Sequence, residues 1–127
     1  MGYIRHHAII VTTYDEMLAT QAHVEACRLF GRAPNFHSKF IASVSTVMKS
    51  GVNSDFSFCV FPDGSKEGWD HSDAGDDARA DFISWLNDRR YEDRGSPFDW
   101  VEIQYGDDEG ETVVVSHSDQ VDVLTDA

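Results

Sequence analysis

The chain is poor in several of the features that would settle its class at once. It has only two cysteines among 127 residues, Cys27 and Cys59, 32 positions apart and outside any C-x-x-C pair. That excludes a disulfide framework and a cysteine-rich zinc site, and both thiols are read as reduced and buried. No apolar run approaches the ~18 residues that a membrane span needs. The opening Met1 to His7 lacks the charged region, apolar stretch and cleavage site of a secretory signal, so a soluble protein that stays in the cytosol is expected. Basic residues are scarce too: 10 Lys/Arg stand against 23 Asp/Glu, for a net charge of −13. Residues 1–66 carry six Lys/Arg and five Asp/Glu, a net +1, while residues 67–127 carry four and 18, a net −14. A duplex-binding surface displaces counterions with several clustered cations, so general DNA or RNA affinity is excluded. The acidic half reads either as a solvated surface or as a docking face for a basic partner.

Catalytic signatures are also missing. There is no G-x-x-x-x-G-K-[ST] phosphate loop, no G-x-G-x-x-G, no G-x-S-x-G elbow and no H-E-x-x-H. Two-histidine phosphoesterases need a hydroxyl two places after each histidine, but His6 and His7 are followed there by Ala8 and Ile9, and His117 by Asp119; Ser72 adjoins His71 at the wrong spacing. An enzyme is therefore the weaker reading, with no cofactor and no metal expected. Neighbouring strand residues point to opposite faces, so His6 and His7 cannot easily grip one ion. Asp70, His71 and Asp73 form the one conceivable metal set. The pairs Asp76-Asp77 and Asp107-Asp108 read as solvated acids, the first at a helix start and the second in a hairpin loop.

What the sequence does contain is the pattern of one α+β domain, residues 1–117, with a polar, acidic tail over 118–127. Ile4 to Thr13 ends in the apolar, β-branched run Ala8 to Val11 and two threonines, which predicts a central strand. Thr13 and Glu16 have capping-box spacing and Gly31 is placed to end a helix over Tyr14–Phe30, whose stripe is Leu18, Ala22, Ala26 and Leu29, with Met17 and Phe30 alongside. Phe40–Met48 and Asp55–Phe61 predict a hairpin around Lys49–Asn53. Pro62-Asp63-Gly64-Ser65 breaks it, and Lys66–Ala74 reads as an ordered loop. A second helix follows, with Asp76 and Asp77 at its start, Ala78, Phe82, Trp85 and Leu86 facing inward, and Arg89 and Arg90 at its end. After Gly95-Ser96-Pro97, the strands Phe98–Tyr105 and Glu111–Ser116 form a second hairpin. The order β-α-β-β-α-β-β predicts an antiparallel sheet with two helices on one face, ferredoxin-like with an added strand.

Lys66, Trp69, Arg89, Arg90 and Trp100 combine cations and aromatics in or beside the acidic half, and Arg5, His7, Lys66, Trp69, Arg90 and Trp100 are taken as the candidate ligand contacts. Guanidinium groups pair with phosphate and indole faces stack on bases, so cations beside aromatics suit a nucleotide-like ligand.

Three stretches, MGYIRHHAIIVTTY, FPDGSKEGWDHSD and RRYEDRGSPFDWVEIQYGDDE, together resemble a group of short proteins encoded by tailed bacteriophages. The resemblance spans most of the chain except Pro34 to Asn53 and the tail. Phage proteins of this size include sponges that sequester host immune signals, such as the Thoeris anti-defence proteins. The resemblance thus implies an oligomer without catalysis that binds a cyclic or ADP-ribose-derived nucleotide in the host cytoplasm. Two other readings stand beside it: an acidic module that docks a basic host or phage protein, partly through Asp107, Asp108 and Glu109, and a phosphoesterase-type enzyme.

Overall fold

The computed structural model describes residues 4–31, 43–93, 95–106 and 110–119. Five strands form one antiparallel sheet: β1 His6–Thr13, β2 Met48–Lys49, β3 Phe56–Val60, β4 Phe98–Tyr105 and β5 Val113–His117. The helices among the described residues are α1 Glu16–Gly31 and α2 Asp70–Asp88. The strand order β2-β3-β1-β4-β5 is the split β-α-β order of ferredoxin-like folds, with β5 added beyond β4.

The apolar run of β1 sits at the centre because it is paired on both edges, Ile9 with Val60 of β3 and Val11 with Trp100 of β4. Alternation then divides the faces. His7, Ile9, Val11 and Thr13 are buried on one side with Phe58, Val60, Phe98 and Trp100, where the apolar cores of both helices pack. Ala22, Ala26, Leu29 and Phe30 come from α1, and Ala78, Phe82 and Leu86 from α2. The opposite face carries Ile10, Thr12, Asp99 and Val101, and among the described residues no helix packs on it.

Several local expectations are corrected. Thr13 does not cap α1; its hydroxyl donates to the Pro97 carbonyl at 2.8 Å, tying β1 to the entry of β4, and α1 begins at Glu16. Gly31 closes α1 as an ordinary helical residue rather than in the left-handed region. Met17 is exposed. The strand predicted over Phe40–Met48 shrinks to Met48–Lys49 plus a single bridge from Val44 to Val60; Phe40 to Ala42 lie outside the described residues. The largest departure is α2, which starts at Asp70 within the segment read as a loop. Its first two turns bury Ser72 and Gly75, residues that give no hydrophobic signal. Asp70 and Asp73, not Asp76 and Asp77, are the acids of its first turn, and Trp69 enters extended ahead of it. β4 matches its predicted range, whereas β5 lies one to two residues later than expected. Cys27 and Cys59 are free but only half-buried.

Candidate ligand site

Two helices, each roughly 10 Å across, cover about four strands spaced ~4.8 Å apart. Among the described residues the fifth strand therefore extends the sheet past the helical layer. Between the outer flank of α2 and the half-buried part of β4 lies a cleft of about 560 Å³. His7, Glu102 and Gln104 lie on the sheet side; Asp76, Arg79, Ile83, Ser84 and Asn87 line the α2 wall; Glu67 stands at the end nearest the start of that helix. From Asp76 to Asn87 the wall runs ~16 Å at 1.5 Å per residue.

The charged side chains at the cleft are held by one another. Arg79, only 4% exposed, donates to Asp76 Oδ1 at 2.5 Å and lies 3.6 Å from Asp63 Oδ2. Asp63 is oriented in turn by the amide and hydroxyl of Ser65, which bond its Oδ1 at 2.8 and 2.6 Å. His7 Nε2 and Glu67 Oε2 are 3.3 Å apart, and the Ser72 hydroxyl donates to the same oxygen at 3.1 Å. Ser116 donates to Glu102 Oε1 at 2.9 Å. The cleft thus sets three carboxylates, Glu67, Asp76 and Glu102, against one guanidinium already neutralised by its partners and one imidazole. It favours groups that donate hydrogen bonds and disfavours phosphate inside.

Ser72, Glu67 and His7 do not make a nucleophilic relay. In such a relay the histidine stands between hydroxyl and carboxylate, whereas here the carboxylate stands between hydroxyl and imidazole. Among the described residues, no group of three His, Cys, Asp or Glu side chains is placed to hold a metal ion. Asp70, His71 and Asp73 accordingly form no such group.

Of the six residues singled out from the sequence, His7 lines the cleft, and Lys66 and Trp69 flank Glu67, which also lines it. An isolated antiparallel bridge between Ile4 and Lys66 lays the segment after β3 beside the start of β1. This brings Lys66 alongside the stretch that holds Arg5 and His7. Lys66 Nζ sits 5.5 Å from the centre of the Trp69 ring, and that ring is 48% exposed, with His71 at 6.4 Å. Arg5 donates to the Gly106 carbonyl at 2.6 Å and so pins the β4–β5 hairpin. Arg90 donates to Asn87 Oδ1 at 3.3 Å and to the Ser118 carbonyl. Trp100 is separate: at 4% exposure it belongs to the core, four positions along β4 from Gln104, or ~13 Å. Glu67 in the turn before α2, Arg79 on α2, and Glu102 and Gln104 on β4 carried no sequence signal, because isolated charged and amide residues read as solvated. Only the topology shows that they face each other.

Compared with models of known protein families, with curated proteins and with solved structures, the chain matches none.

Proposed function

We propose that this domain is a non-catalytic binding protein that sequesters a small nucleotide-type signal, the role implied by its resemblance to short phage proteins. The observation that carries the reading is the exposed Trp69 with Lys66 Nζ 5.5 Å from its ring centre, on either side of Glu67, which lines the acidic cleft. A base stacks on the indole, its phosphate stays near Lys66 and Arg5, and the donor-rich remainder of the ligand enters the cleft toward Glu67, Glu102 and Gln104. The −13 net charge weighs against ligands with many phosphates and restricts the expected class to those of low charge, such as cyclic or ADP-ribose-derived nucleotides. Titration of Trp fluorescence with ADP-ribose and with cyclic mono- and dinucleotides tests this. Saturable quenching that disappears in Lys66→Ala and Trp69→Ala supports it; an unchanged signal across the panel removes it.

A second reading rests on the charge distribution. With 18 acids against four bases in residues 67–127, the cleft also suits a lysine or arginine presented by a basic host or phage protein. That complex weakens steeply with salt. The acidic loop Asp107, Asp108 and Glu109, the docking element expected from the sequence, lies outside the described residues.

A further inference from the structure

β5 ends the sheet, and among the described residues its outer edge has no strand partner. The opposite edge, β2, is only two residues long, which itself limits pairing there. Val113, Val114 and Val115 are 41%, 55% and 38% exposed. Val113 and Val114, paired with Gln104 and Ile103, point to opposite faces, so among the described residues their exposure leaves neither face of β5 covered there. Edge strands that face only water are usually blunted by charge or proline, yet Thr112 to Ser116 holds neither, although this half of the chain carries 18 of the 23 acids.

The sequence of this edge also identifies its partner. Thr112-Val113-Val114-Val115-Ser116 reads nearly the same in both directions about Val114. A two-fold antiparallel join therefore sets Val114 opposite Val114 of the second copy, Val113 opposite Val115, and Thr112 opposite Ser116. Just outside these, Glu111 stands opposite His117. Aliphatic, hydroxyl and acid–imidazole positions all meet suitable counterparts, which is the self-complementarity an isologous interface requires. The register shift against β4 leaves Val115 without a β4 partner. In the two-fold join each copy places this bulged residue opposite Val113 of the other, so both bear the same distortion in the same place.

We propose that β5 is a homodimer interface, joining two copies edge to edge into one continuous ten-stranded sheet through an antiparallel register centred on Val114. This goes beyond the ligand reading and does not depend on it. Each copy carries −13, so screening by salt favours the dimer, opposite to the salt dependence of a basic partner at the cleft.

The register makes a specific test available. Residues directly opposite in an antiparallel pair have Cα atoms about 4.5–5.5 Å apart, within disulfide range, whereas two copies of residue 112 would be ~13 Å apart. Mild oxidation of Val114→Cys is expected to give a covalent dimer. Thr112→Cys, and the unsubstituted chain with Cys27 and Cys59, are expected to stay uncrosslinked. Light scattering should give twice the 14.3 kDa chain mass for the unsubstituted protein and a single chain mass for Val114→Lys with unchanged circular dichroism. A monomeric unsubstituted protein, a dimeric Val114→Lys, or equal crosslinking at 112 and 114 would overturn the proposal.

Discussion

Asp63 and Gly75 are pressed together: a Cβ built on Gly75 would lie 2.7 Å from Asp63 Oδ2 and 3.3 Å from both terminal nitrogens of Arg79. Only glycine at this position of α2 lets the helix approach the turn after β3 closely enough for Asp63 and Arg79 to meet. Gly75→Ala would ordinarily favour a helix, by ~1 kcal/mol. Here the expected outcome is a net loss of about 1–3 kcal/mol, because the added methyl group pushes a buried ion pair apart. Denaturant unfolding of the two proteins checks it, and a more stable Gly75→Ala would contradict the role given to Asp63–Arg79.

Trp100 offers a contrast within the core. Its ring is buried, but among the described residues Nε1 has no hydrogen-bond partner. Trp100→Phe loses apolar contact and also removes a buried unsatisfied donor, two effects of opposite sign. The substitution is expected to leave stability within ~1 kcal/mol of the unsubstituted protein, while Trp100→Ala costs ~3–5 kcal/mol. Neither should abolish binding at Trp69. Selective loss of ligand in a well-folded Trp100→Phe would instead return Trp100 to the contacts.

The two thiols are set for low reactivity. Burial pushes both Cys27 and Cys59 above the usual thiol pKa, so each is protonated at neutral pH and the nucleophilic thiolate is scarce. The neighbouring His23, whose Nε2 is 2.9 Å from the Ser45 carbonyl, stands 3.8–4.0 Å from Cys27 Sγ across one helical turn. Reaction with a thiol reagent at pH 7 is expected to be slower than for a free cysteine and to accelerate as pH rises. Fast labelling of Cys27 at neutral pH would mean that His23 activates it.

Much of the fold was legible because its signals are local. The β-branched run of β1, the alternation of β3 and the glycine–proline break before β4 each determine their own element. The start of α2 was not legible, because its first inward residues are Ser72 and Gly75, which are selected by contact with Glu67 and Asp63 rather than by hydrophobicity. The candidate site was half legible for the same reason. Lys66 and Trp69 stand out in an acidic stretch, and being close in sequence they meet on either side of one turn. Glu102 and Arg79 come together only through the pairing of β1 with β4 and the placement of α2 over the sheet, relations that no single segment encodes. Trp100 looked like a stacking surface for want of a way to tell a core indole from an exposed one.

The most direct test of ligand sequestration is native mass spectrometry of the protein purified from bacteria with an active nucleotide-signalling defence, beside protein from cells that lack it. A nucleotide-sized mass retained only in the first sample, and lost in Trp69→Ala, is the predicted result; the bare chain mass in both samples would contradict it.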